Sequence, residues 1–153
     1  MLEIALKANE AKCFNSRRLP NEMYKDLSPN LKSSITRSIT QTFEQYMTDI
    51  GWSEKKFNIE DYIANWKEYI TTKALWYAEI PDETKRNAEF HEQLATRINE
   101  VIARILEDPP TDQQIATIQM MQEKLNTHYS YDCKAEAAYI EQKLKERLKT
   151  VEE

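Results

Sequence analysis

A single glycine, Gly51, in a chain of 153 residues limits the fold more than any other feature of this sequence. Glycine makes up about 7% of an average soluble protein, so roughly ten would be expected here. The tight turns that join β-strands lean on glycine for positive φ. Helices avoid it, because it costs about 1 kcal/mol in a helix interior. The sequence therefore predicts an all-α chain, a single irregular bundle of four to six helices. Its turns are built from proline, asparagine and aspartate.

The length fits one domain. Hydrophobic residues are 41% and charged residues 31%, a balance that suits helices with much of their surface in water. No apolar stretch approaches the ~20 residues of a membrane span, and Met1-Leu2-Glu3-Ile4 does not read as a signal peptide. Cys13 and Cys133 are far apart in sequence and are expected as reduced thiols in a cytoplasmic protein. The net charge of −5 disfavours tight, sequence-independent binding of nucleic acid.

Along the chain, residues 1–27 read as an N-terminal arm with a short helix. Residues 1–14 fit a helix, a strand or an extended arm, 15–20 a linker, and Pro20 opens a short turn towards Leu27. Residues 28–108 read as a three-helix body. Ser28-Pro29 carries a capping hydroxyl and a proline at the first helical position. Leu31, Ile35, Ile39, Phe43, Met47 and Ile50 then form one apolar stripe that ends at Gly51, a residue suited to a helix C-cap. Asn58 is the expected cap of a second helix. Its apolar face runs through Ile59, Tyr62, Ile63, Trp66, Tyr69, Ile70, Leu75 and Tyr77 to Ile80, where Pro81 stops it. Asp82 is the expected cap of a third helix, with Phe90, Leu94, Ile98, Val101, Ile102 and Ile105 on one face. Asp108-Pro109-Pro110 ends that helix. Residues 109–153 read as a C-terminal helical hairpin. Thr111 and Gln114 form a capping box, and Asp132 is the expected cap of the last helix.

Tests for catalytic and metal chemistry return no site. His91-Glu92 resembles the start of a zinc-protease helix, but Ala95 stands where the second histidine is needed. The two histidines and two cysteines lack zinc spacing, and neither histidine follows a glutamate by three residues, as a di-iron bundle requires. One glycine cannot build a phosphate loop. Cys133, at a helix start where a thiol pKa falls, with His128 in the preceding loop, is the one conceivable nucleophile pair. The sequence thus predicts no enzyme, no cofactor and no metal site.

The aromatic residues point to binding instead. Trp52, Trp66, Trp76, Tyr62, Tyr69 and Tyr77 cluster in one region. On a continuous helix through 58–80, Trp76 falls at the margin of the apolar face beside polar Thr72 and Lys73. Tryptophan at a polar rim is typical of an interface hot spot. Trp52, Phe57 and Trp76 are thus candidate partner-binding residues, for another protein or for a second copy of the chain in a homodimer. The alternative is an accessory nucleic-acid-binding protein of replication or recombination, using Arg17, Arg18, Lys55 and Lys56 with neighbouring aromatics for stacking.

Residues 109–148, from Pro110-Thr111-Asp112-Gln113-Gln114-Ile115-Ala116-Thr117-Ile118 through Ala137-Ala138-Tyr139-Ile140, resemble a small helical hairpin of bacteriophage and other mobile-element proteins. That family's loop often carries a glycine, where Asn126 stands here. The resemblance implies a mobile-element origin and no enzyme activity. The resulting expectation is a non-enzymatic protein-binding module, an inhibitor or adaptor aimed at a host protein, with anti-defence activity as one example.

Overall fold

The computed structural model describes residues 24–152. The expectations for residues 1–23, including Cys13, Arg17 and Arg18, lie outside that range. The protein is all-α: among the described residues there is no strand. A 3-10 turn at Tyr24–Asp26 precedes α1 (Pro29–Asp49) and α2 (Ile59–Thr72). A second 3-10 turn, Leu75–Glu79, leads to the short α3 (Asp82–Lys85). Then follow α4 (Ala88–Glu107), α5 (Asp112–Leu125) and α6 (Lys134–Glu152). The described residues divide into two compact units, one up to Ile102 and one from Ala103 onwards.

Local chemistry explains the ends of the helices. Ser28 Oγ accepts the Leu31 amide at 3.1 Å, with Pro29 in the first turn. At the other end of α1, Gly51 has φ 70°. Its amide donates to Thr48 O and the Trp52 amide to Met47 O, at 3.0 and 2.7 Å. This pair of bonds is a Schellman cap. Asn58 Oδ1 takes the amides of Glu60 and Asp61, so α2 starts where expected. The Thr111–Gln114 capping box is formed in both directions, at 3.0 Å each. Asn126 ends α5 in the left-handed region, at φ 57° and ψ 48°, a conformation that asparagine tolerates better than most residues other than glycine. Gln122 then ties down the loop that follows. Its Nε2 donates to Tyr129 O, and its Oε1 accepts from Thr127 Oγ1 and the Tyr129 amide.

Three expected boundaries are different in the structure. The second helix does not continue to Ile80 but ends at Thr72. The hydroxyls of Thr71 and Thr72 bond back to the carbonyls of Lys67 and Glu68, a competition that weakens a helix. Ala74 is extended, at ψ 118°. Asp82 does not cap the third long helix. It opens the single-turn α3, with Pro81 at the N-cap. Asn87 caps α4 instead, its Oδ1 accepting the amides of Glu89 and Phe90 at 2.8 and 3.2 Å. Asp132 is not the cap of the last helix either. Its amide donates to the Glu136 carboxylate at 2.8 Å, and α6 begins at Lys134.

In the first unit, Ile35, Ile39, Phe43 and Met47 of α1 are buried with Tyr62, Trp66 and Ile70 of α2 and Phe90, Ile98, Val101 and Ile102 of α4. A row of polar contacts runs along the seam between α1 and α2. Ser38 Oγ donates to Ile35 O at 2.7 Å and accepts Trp66 Nε1–H at 3.0 Å. Tyr62 OH donates to Ile39 O at 3.1 Å and lies 3.0 Å from Thr42 Oγ1. Tyr46 OH meets the backbone of Asn58 through both its N–H and its carbonyl. Arg97 of α4 donates from Nε and from the guanidinium end to Thr36 Oγ1 of α1. In the second unit, Ile118 and Met121 of α5 pack on Ala137, Ile140 and Leu144 of α6.

Because Ile39 is fully enclosed, Ile39→Asp should destabilise the fold by several kcal/mol, as about 3–5 kcal/mol is typical for an uncompensated buried charge. Ser38→Ala leaves Trp66 Nε1 without its acceptor and should cost about 1–3 kcal/mol in urea unfolding. Burial pushes the Tyr62 phenol well above its usual range. Its neutral form is therefore favoured in the folded state. That contribution is complete below the unfolded phenol pKa of about 10 and is lost as pH rises above it. Thermal melts between pH 9 and 11.5 should show the wild type losing stability more steeply than Tyr62→Phe.

Candidate functional site

The structure places the expected binding residues in two settings. Trp52 and Phe57 flank one turn, and both rings meet Phe43 edge-on, with centroids 6.3 and 6.4 Å away. Both are half-buried. Trp52 also has φ 55°, a conformation unfavourable for a bulky residue. Its amide bond to Met47 O and its ring contact with Phe43 hold it there. These two aromatics close the end of the α1–α2 pair. Lys55 and Lys56 between them are exposed.

Trp76 has a different environment. It does not sit on a helix margin, because α2 has already ended. It lies in the Leu75–Glu79 turn, half-buried, and meets the Tyr77 ring edge-on at 5.9 Å. Its neighbour Leu75, expected on the buried face, is 87% exposed. The turn thus presents Leu75 and part of Trp76 to solvent, with Tyr77 behind them.

Tyr77 also lines a groove of about 440 Å³ in the first unit. Ile63, Trp66 and Ile70 of α2 form one wall, and Phe90, Leu94 and Ile98 of α4 the other. Among the described residues, Lys67, Lys85 and His91 are the cationic or titratable nitrogen groups on its lining, and none of its lining residues carries a carboxylate. Lys85 Nζ stands 4.3 Å from the Tyr77 ring centroid and 3.9 Å from Asp82 Oδ1. The His91 ring is tethered through Nε2 to the carbonyl of Lys85. A carbonyl only accepts, so Nε2 carries the proton.

Cys133 does not have the activated environment expected of a helix-start thiol. It is 2% exposed. Burial pushes its pKa up, and the carboxylates of Glu136 and Asp132 push in the same direction. The backbone amides of Glu136 and Ala135 offset this only in part. His128 is exposed and lines a separate hollow with Ile115, Gln122 and Tyr131. Among the described residues no three His, Cys, Asp or Glu side chains form a metal-binding group, and no helix is long and apolar enough to cross a membrane.

No protein family, curated protein or solved structure matches the chain. The reading of the site therefore rests on its geometry. Sequence reasoning missed Leu75 as a surface residue and missed the groove. The groove's signal was present in Lys67, Lys85 and His91, three nitrogen groups among apolar residues, but only the fold brings them to one opening.

Native protein treated with a thiol-reactive disulfide at pH 8 should leave Cys133 unmodified over times in which denatured protein reacts fully. Peptide mass spectrometry reads Cys133 separately from Cys13.

Proposed function

We propose that this chain is a non-enzymatic protein-binding module that docks through the Leu75–Glu79 turn. The observation that carries the reading is Leu75, 87% exposed beside the half-buried Trp76. A leucine held out in water by an ordered turn gains nothing for the fold, since burying such a side chain contributes about 1.5–3 kcal/mol. Next to a tryptophan backed by Tyr77, it has the makeup of an interface centre. Trp52 and Phe57 serve this reading as the packed end of the α1–α2 pair and not as free anchors. The buried, raised-pKa Cys133 supports a non-catalytic role. The resemblance of residues 109–148 to mobile-element hairpins supports an inhibitor or adaptor acting on a host protein. The nucleic-acid alternative is weaker, because the rings beside Lys55 and Lys56 pack on Phe43 and are not open faces on which bases stack.

The test compares wild type with Leu75→Asp and Trp76→Ala as bait in a bacterial lysate, alongside sedimentation to detect self-association. A partner or a dimer retained by wild type and weakened by about 2 kcal/mol or more in Trp76→Ala, with helical circular dichroism unchanged, is the expected result. A partner held equally by all three proteins removes the turn from the interface. Salt-sensitive DNA binding lost in Lys55→Ala/Lys56→Ala would instead favour the nucleic-acid reading.

A further inference from the structure

We propose that the groove between α2 and α4 is a binding site for a small apolar carboxylate, of the size and class of a medium-chain fatty acid. The inference goes beyond the docking reading and does not depend on it. Three observations converge. The first is volume. The groove holds about 440 Å³, within the roughly 300–1,000 Å³ of ligand pockets. The second is the lining. Ile63, Leu94 and Ala95 are only half-buried and face this space with Trp66 and Ile70, so an apolar body would complete their burial.

The third is charge. On a chain of net charge −5, the described residues of the lining contribute Lys67, Lys85 and His91 and no carboxylate. Lys85 is held in place by the Tyr77 ring at 4.3 Å. Its ion-pair partner Asp82 is 3.9 Å away with its side chain 80% exposed, a surface pair worth at most about 1 kcal/mol. A carboxylate entering along the apolar walls would meet the ammonium where the effective dielectric is lower than in water, so it would compete well with Asp82.

Isothermal titration of the full chain with decanoate, decan-1-ol and decylamine, each below its aggregation threshold, tests the charge argument on wild-type protein alone. The expected result is one decanoate per chain. Decan-1-ol should bind about tenfold or more weakly, since it lacks the charge-assisted contact, and decylamine more weakly still. The preference for decanoate should shrink as salt is raised. Lys67→Gln/Lys85→Gln should bring decanoate and decan-1-ol to equal affinity. Ala95→Phe, which fills the groove, should abolish both while circular dichroism stays helical. Equal binding of decanoate and decan-1-ol by wild type, tighter binding of decylamine, or no binding of any of the three overturns the proposal. So does a dimer or a captured partner protein that Ala95→Phe disrupts while decanoate fails to bind, because the groove is then a protein interface.

Discussion

Ser38 is the residue on which the arrangement of the first unit turns. Its hydroxyl donates to Ile35 O on its own helix and accepts from Trp66 on α2. A buried indole N–H without an acceptor costs about 1–3 kcal/mol, so only one register of α2 against α1 keeps it satisfied. Tyr62, one turn earlier on α2, repeats the constraint through Ile39 O and Thr42. Apolar packing alone would hold the two helices together and would tolerate sliding. The two aromatic hydrogen bonds set the rotation and the height. They direct Tyr62 and Trp66 at α1, which leaves Ile63 and Lys67, the next residues along, towards the groove side.

The features of this chain that are legible in its sequence are those set by a single turn of backbone. Some caps that act over two or three residues form where the sequence places them, although Asp82 and Asp132 do not cap the helices expected of them. Ser28, Asn58 and the Thr111–Gln114 box each needed only their own turn of helix. Gly51 was legible for the same reason, since a Schellman cap is a local backbone event. The end of α2 was not legible from periodicity. Leu75, Tyr77 and Ile80 continue the apolar spacing past the break, while the terminating signal is a pair of threonines whose hydroxyls bond backwards. Threonine inside a helix is common, and only its coincidence with the extended Ala74 ends this one.

The N-terminus of α4 shows a competition between two plausible caps. Asp82 follows a proline and precedes an acidic residue, which suits a helix start, and a helix does start there. It ends after one turn because Asn87 offers a second cap. Cys133 failed for the opposite reason. A helix start lowers a thiol pKa only where the sulfur is reached by the dipole more strongly than it is desolvated. Burial dominates at Cys133, and burial is a tertiary property that spacing in the chain does not carry.

The break at Thr72 also connects the two candidate surfaces. Had α2 continued, each residue would advance 1.5 Å along its axis and turn by 100°, so Leu75 and Tyr77 would not occupy their present places beside Trp66 and Lys85. The extended Ala74 and the 3-10 turn after it fold the chain back instead. Tyr77 then becomes part of the groove lining and stacks under Lys85, while Trp76 leans on its edge and Leu75 is left in water. The exposed leucine and the apolar groove are thus two consequences of one local event. Tyr77 is the physical link between them, because the ring that Trp76 packs against is the ring that lines the groove. A change in the setting of the Tyr77 ring therefore changes the seat of Trp76 as well.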